Sequence, residues 1–404
     1  MNFAKLRQQI FKMRKRDLFP LIKLILTYIP GKLYRLFNSD VWVITEYEND
    51  ARDNGYWLFK YIRETYPNKK VFYPINFECN DFNKIKSLGN YIKFGGIKHY
   101  ILFWGCSKFI GTTKYYGFPY GRICEDLVQW DLHDFKNIFL NHGVARGYSS
   151  IVDAKNTNYD LIISMSEKEK EILIKANFQS SEKVKVVGFC RYDSLKNIIS
   201  DKKKIVIMPT WRNWLDFRLE IDESNKEKIT KQFLESKYYK SFFSLINNRS
   251  LLDFLDKNDI ELIFYLHGYA QVYSDYFYSS SSRLLVASKE EYFVQDLLKI
   301  SDLLITDYSS VTYDFCYMKK PMIYYQFDKD EFEEKQYAES KYFTYDKDGF
   351  GPIVDTEENL VIMIKEMYEK NFELEDEYRV RIDEFFKYDD EKNCERNYLE
   401  ILNL

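Results

Sequence analysis

A chain of 404 residues, 46% hydrophobic and 18% aromatic, is too long for one ordinary core and apolar enough to fill two, so two α/β domains are expected. The formal net charge of -3 is unevenly spread: nine lysines and arginines against Asp17 give residues 1–38 a charge of +8, leaving -11 for the remainder. A net-acidic body excludes a general nucleic-acid binder, and Cys79, Cys106, Cys124, Cys190, Cys316 and Cys394 lack the spacing of a disulfide framework or a zinc site.

Within residues 1–38, Leu18 to Ile29 is apolar but interrupted by Pro20 and Lys23, and it is shorter than the ~20 residues a spanning helix needs. No small-residue cleavage site follows. The segment reads as a basic amphipathic helix lying on an anionic membrane surface, with packing on the protein body as the plainer alternative.

From residue 39 short apolar runs alternate with helix-length stretches. Val41–Thr45 is a first strand, Glu46–Gly55 a polar loop, and Tyr56–Tyr66 an amphipathic helix ended by Pro67. Further strands are expected at Val71–Ile75, Lys108–Gly111, Asn137–Leu140, Leu161–Ser164 and Val184–Val187, with a helix over Glu167–Ala176. This alternation predicts a doubly wound, Rossmann-like domain over 39–195. Nine of the 15 glycines fall between Gly89 and Gly147, where the backbone turns sharply or approaches a ligand. Charge density rises near Asp193–Lys204, and a second series begins at Ile205–Pro209, so a second Rossmann-like domain is placed over 196–370. It contains two charged helices near 223–239 and 241–257, strands at Glu261–Leu266 and Arg283–Ala287, and a helix near 290–299. Residues 371–404 form a C-terminal helical segment.

The sharpest signal is Ile300–Asp328. Leu303–Thr306 reads as a buried strand, Asp307–Ser310 as a polar turn, Val311–Met318 as a helix and Met322–Phe327 as the next strand. A helix N-terminus with two added serine hydroxyls suits phosphate, although Ser309 or Ser310 acting only as a cap is the plainer reading. Asn141-His142-Gly143, Thr210-Trp211-Arg212 and His267-Gly268 also stand directly after predicted strands, where open parallel sheets bind ligands. His142 and His267, each beside a glycine, are candidate catalytic groups, while His99 and His133 read as structural. The Arg212 fork suits a phosphate, with a salt bridge as the alternative. Arg146 follows His142 by four residues. Asp50, Asp53 and Asn54 form a polar cluster after the first strand, which reads as a solvated loop first, with acceptor binding by Asp53 and Asn54 as the second reading. Asp328-Lys329-Asp330 and Asp346-Lys347-Asp348 lie in charged surroundings, and no metal is assigned to them. The phosphate loop of ATPases, the dinucleotide glycine fingerprint and the nucleophile elbow of hydrolases are all missing.

The motifs ARDNGY (51–56), NHG (141–143), PTWR (209–212), LHG (266–268), SDLLITDYSSVTYDF (301–315), KKPMIYYQFD (319–328) and GFGPIV (349–354) come in an order that resembles the CDP-glycerol:poly(glycerophosphate) glycerophosphotransferases of bacterial teichoic-acid and capsule synthesis. The resemblance runs from about Val41 to Lys370. It implies a GT-B protein, two Rossmann-like domains facing a cleft, held peripherally at the cytoplasmic face of the cell membrane. It also implies CDP-glycerol or CDP-ribitol as donor, a lipid-linked or polymeric glycan as acceptor, CMP as product and no cofactor. By matching motif, His142 is the general base and His267, Arg212, Ser309 and Ser310 hold the donor phosphates; Thr210 and Asp307, standing with them after predicted strands, are assigned to the same donor phosphate site. The chain departs from the family in having Val144-Ala145-Arg146-Gly147 after its first His-Gly, where Thr-Pro-Leu-Lys is common, and Gly268 where proline is common. Two alternatives stand beside this reading. One is a GT-B glycosyltransferase using a nucleotide-sugar, which releases UDP rather than CMP; the other is a non-catalytic membrane adaptor, which turns over no donor.

Overall fold

The computed structural model describes residues 14–114, 116–215, 225–336 and 340–404, and in it the short apolar runs assemble into two parallel sheets. The first contains β1 (Trp42–Thr45), β2 (Val71–Ile75), β3 (Tyr91–Lys93), β4 (Lys108–Gly111), β5 (Lys136–Phe139), β6 (Leu161–Ser164) and β7 (Val184–Val186), in the order β3-β2-β1-β4-β5-β6-β7. The second contains β8 (Lys204–Ile207), β9 (Glu261–Phe264), β10 (Leu284–Val286), β11 (Leu303–Thr306), β12 (Met322–Tyr325) and β13 (Ile353–Val354), in the order β10-β9-β8-β11-β12-β13. Every strand pairing is parallel. All residues of β1, β6, β11 and β12 are buried, as strands covered on both faces by helices must be.

Both sheets are wound alike. The chain starts in the middle, moves outward for three strands, then returns to the other side of its first strand. Each sheet therefore has a switch point, between β1 and β4 and between β8 and β11, where the loops at the strand ends diverge and leave room for a ligand. These are two Rossmann-like doubly wound units, as the alternation predicts.

The chain divides after Ser194 and again after Phe386, and Lys387–Leu404 returns to the first unit. The C-terminal stretch expected as one helical segment is thus split: helix Asp376–Phe385 belongs to the second unit and helix Asn393–Leu402 to the first. The last helix is tied down where Asp193 accepts the N–H groups of Asn393 (2.8 Å) and Cys394 (2.7 Å). Gly188, at φ +82°, lies so close to the Asn393 side chain that a Cβ there collides with it. Tyr398 stacks on Tyr66 with ring centroids 4.3 Å apart.

Other departures are local. The two helices expected over 223–257 are three, Lys226–Glu235, Lys237–Ile246 and Arg249–Lys257; the first break falls at Ser236, whose hydroxyl caps the second by accepting the Tyr239 N–H, and residues 223 and 224 lie outside the described part. Strands β3 and β13 are edge strands of three and two residues, too short to leave a period in the sequence.

Of the basic N-terminal segment, residues 1–13 lie outside the described part; the rest forms helix Leu18–Phe37. It packs on helix Ile97–Gly105 through Leu24, Thr27 and Gly31. The crossing is close enough that a Cβ on Gly105 lies 2.8 Å from the Gly31 carbonyl. The opposite face exposes Leu18, Ile22, Ile25, Ile29, Leu33 and Leu36, a stripe at helical spacing. No helix among the described residues is long and apolar enough to cross a membrane.

Candidate active site

In the first unit, His142 stands three residues beyond β5 with its ring exposed. Its Nδ1 lies 2.9 Å from the Thr112 carbonyl, which can only accept, so Nδ1 carries the proton and Nε2 presents its lone pair to solvent. That is the tautomer a general base needs. The loop is built around Asn141, which adopts φ +64° and whose Oδ1 accepts the His142 N–H at 3.0 Å. Glu169, fully buried, holds the loop from below: its carboxylate accepts Asn141 Nδ2 (3.2 Å), the Ala145 N–H (2.8 Å), the Met165 N–H (2.6 Å) and the Ser164 hydroxyl (3.0 Å). Burial pushes this carboxyl up to about 7, against the pull of those hydrogen bonds.

The ARDNGY motif supports the same loop rather than facing solvent. Asn54 is fully buried; its Nδ2 donates to the carbonyls of Leu140 (3.3 Å) and Asn141 (2.8 Å), and its Oδ1 accepts the Arg191 N–H (3.0 Å). Its expected acceptor-binding role is corrected to that of a splint beneath His142, since every polar atom of its side chain is spent inside the unit. Asp53 pairs with Arg191 at 2.9 Å. Glu46, just past β1, accepts the N–H groups of Arg52 (2.9 Å), Asp53 (3.0 Å) and Tyr56 (2.6 Å), so a buried carboxylate completes the start of helix Asn54–Thr65. Burial, and then the neighbouring Asp53 charge, push Glu46 up to about 8. Arg146 is half-buried, four residues beyond His142. Sequence reasoning missed Glu46, Glu169 and Arg191; an acid directly after a strand, as at Glu46, is the one signal that could have flagged any of them.

In the second unit the switch point between β8 and β11 holds the PTWR and TDYSS motifs. Arg212 is wholly enclosed: its Nε and Nη2 bond Asp328 at 2.8 and 3.0 Å, Nη2 also bonds Asp307 at 2.8 Å, and Nη1 bonds the Thr210 carbonyl at 2.6 Å. Tyr238, Tyr308 and Phe332 surround the guanidinium with ring centroids 5.0 to 5.3 Å from its carbon. Burial lowers its pKa, but Asp307 and Asp328 outweigh burial and the net shift is upward. Asp307 is equally buried, and its Oδ1 accepts the N–H groups of Thr210 (2.8 Å) and Tyr308 (2.6 Å). Two expected phosphate ligands, Arg212 and Asp307, are thereby corrected, while the buried Thr210 hydroxyl has no hydrogen-bond partner among the described residues. Arg212, Asp307 and the backbone of Thr210 form a buried post that fixes two loops to each other, because their charges and hydrogen bonds are already satisfied within the unit. Asp328, read as surface charge, belongs to the same post. Among the described residues no group of acids, histidines and cysteines comes together to hold a metal.

What the post leaves outward is the serine turn and His267. Ser310 is exposed and makes no cap bond to helix Val311–Tyr317, whereas Ser309 is half-buried and its hydroxyl accepts the Val311 N–H at 3.3 Å. His267, two residues beyond the buried Tyr265, is half-buried; its Nδ1 accepts the Tyr269 N–H at 3.3 Å, which leaves the ring proton on Nε2. Burial pulls its pKa down to about 4, opposed by the Asp307 charge, so the ring is a neutral hydrogen-bond donor at physiological pH. Because the folded value lies below the ordinary 6.5, His267 costs the fold nothing at neutral pH and subtracts stability as pH falls from about 6.5 towards 4. A phosphate against Nε2 favours the imidazolium, so adding CDP-glycerol is expected to move the titration of this ring upward by NMR; an unmoved titration removes His267 from the donor site.

The profile of the family described as CDP-Glycerol:Poly(glycerophosphate) glycerophosphotransferase matches residues 31–403. The Minor teichoic acid biosynthesis protein GgaB of Bacillus subtilis is 31% identical over 386 residues, covering 95% of this chain and 42% of that protein. A Teichoic acid poly(glycerol phosphate) polymerase of Staphylococcus epidermidis is 22% identical, covering 83% of this chain and 46% of its own. The chain thus spans under half the length of these curated relatives. Among solved structures, the wall teichoic acid polymerase TagF superposes with a TM-score of 0.63 at 18% identity, over 96% of each chain. A UDP-GlcNAc 2-epimerase from Neisseria meningitidis superposes at 0.54 and 12% identity, over 90% of this chain and 99% of that one. These two likenesses establish a GT-B-like fold. The profile match over almost the whole chain makes this protein a member of the CDP-glycerol:poly(glycerophosphate) glycerophosphotransferase family.

Proposed function

We propose that this protein transfers a polyol phosphate, glycerol phosphate or ribitol phosphate, from a CDP-polyol to a hydroxyl of a lipid-linked or polymeric cell-surface glycan, releasing CMP. The observation that carries the reading is the aim of His142: an exposed imidazole, its proton fixed on Nδ1 by Thr112, its Nε2 open. In the reaction the acceptor oxygen attacks the β-phosphorus of the donor. The new O–P bond forms as the bridging P–O bond to CMP breaks, and Nε2 of His142 takes the acceptor proton. The second unit holds the donor. His267 Nε2–H and the Ser309 and Ser310 hydroxyls donate to phosphoryl oxygens, and the Arg212 post keeps those donors in place before charge develops. Stabilisation of this kind is set by position, which explains a rigid buried cluster directly behind an exposed turn.

CMP release tests this, with CDP-glycerol and CDP-ribitol offered separately beside a membrane extract as acceptor. CMP from one or both supports the reading, and UDP from a nucleotide-sugar with no CMP from either polyol donor overturns it.

Helix Leu18–Phe37 supports a peripheral place at an anionic membrane. Its outward stripe of leucine and isoleucine is the apolar half of an interfacial helix, and the exposed Arg14, Lys15 and Arg16 just before it supply positive charge, whereas Lys23, Lys32 and Arg35 bond to the protein body. Leu26→Glu with Ile29→Glu is expected to abolish co-sedimentation with phosphatidylglycerol vesicles while CMP release from a soluble acceptor persists. Unchanged sedimentation removes the helix from membrane contact.

A further inference from the structure

Nothing in the mechanism uses helix Asn393–Leu402, yet the face it turns inward is partly polar. Asn393 and Asn397 are fully buried, and Cys394 nearly so. Apolar side chains would dock a helix at less cost than asparagines, whose amides each need partners. The segment that follows β7 supplies them. Asp193 accepts the Asn393 N–H and Nδ2–H (2.8 Å each) and the Cys394 N–H (2.7 Å). Asn397 Nδ2 donates to the Gly188 carbonyl (2.8 Å), and Arg396 Nε to that of Val187 (3.1 Å). The helix therefore fixes the backbone from Val187 into the short turn Cys190–Ser194.

That turn reaches the His142 loop. The Arg191 N–H donates to Asn54 Oδ1 (3.0 Å), and the Arg191 guanidinium bonds Asp53 at 2.9 Å. An amide has one accepting end and one donating end, so spending Oδ1 on Arg191 points Nδ2 at the carbonyls of Leu140 and Asn141. Asn141 needs that hold. Its φ of +64° lies in the left-handed region, which a residue with a Cβ keeps only where its surroundings impose it. Asn141 Oδ1 then accepts the His142 N–H. A run of buried hydrogen bonds thus leads from the C-terminal helix to the base.

We propose that helix Asn393–Leu402 braces the general base, with Asp193 and Asn397 as positioning residues that act on His142 through Arg191 and Asn54. This rests on the reading of His142 as base and extends it to residues that touch no substrate.

Nitrogen-15 NMR of the full chain with labelled histidine, at mildly alkaline pH, tests the brace without any turnover. In the parent, the His142 ring is expected to be the single Nδ1–H tautomer that Thr112 dictates. Asp193→Ala and Asn397→Ala are each expected to turn it into a mixture of both tautomers, because a ring released from Thr112 can carry its proton on either nitrogen. The His267 ring, in the other unit, stays as in the parent. In parallel, kcat for CMP release falls about 10–10²-fold while KM for CDP-glycerol is unchanged. Asp193→Asn keeps the acceptor towards Asn393 and loses the one towards Cys394, so it is expected to fall between parent and alanine variant; it carries the test where the alanine variants do not fold. The brace is overturned by folded variants whose His142 keeps the parent's tautomer, by His142 and His267 signals that change together, or by a KM that rises while kcat holds. If the ring responds as expected and the parent releases no CMP, the transferase reading falls and the brace stands. CMP release with an unresponsive ring removes the brace alone.

Discussion

His142→Ala is expected to lower CMP release by a factor of about 10²–10⁴, the usual worth of a positioned base. CDP-glycerol binding should be unchanged, because the groups assigned to the donor all lie in the other unit. The separation of the two effects is what makes the experiment informative. His142 lies on an exposed loop whose fold is set by Asn141, Asn54 and Glu169, so the alanine variant keeps its structure. Retained turnover in a folded variant removes the base. Loss of donor binding in parallel with turnover instead makes His142 a donor ligand.

The second large effect is expected at Arg212, and it distinguishes a scaffold from a phosphate ligand. Arg212→Met leaves Asp307 and Asp328 buried without a counter-ion, which should cost about 3–5 kcal/mol in urea unfolding. Donor binding is lost with it, since the loops bearing Thr210 and the serine turn are no longer fastened together. Arg212→Lys is expected to fail nearly as badly, because one ammonium cannot fork between two carboxylates and the Thr210 carbonyl. A methionine variant as stable as the parent, and impaired only in binding CDP-glycerol, contradicts the scaffold role and returns Arg212 to the phosphate.

The fold was legible because its strands are short apolar runs ending in polar turns, a pattern that survives without any alignment. The placement of His142, His267, Ser309 and Ser310 at strand ends followed from that pattern alone. What could not be read was burial. Arg212, Asp307 and Asn54 are the residue types that bind ligands when exposed, and one-dimensional pattern does not say that Asp328, 116 residues away, closes over the arginine. The same holds for Glu169, an acid inside a charged helix stretch that turns inward to hold the His142 loop. The C-terminal helix is a third case. Its return to the first unit depends on Asp193 and Gly188, two residues that look like ordinary linker.

The central claim is attack at phosphorus, and the most direct measurement follows the phosphate itself. With CDP-glycerol labelled at the β-phosphate, the label is expected to appear wholly in the acceptor while unlabelled CMP is released. Labelled CDP among the products contradicts the account, since it places the broken bond between the polyol carbon and the phosphate, as in transfer of a sugar.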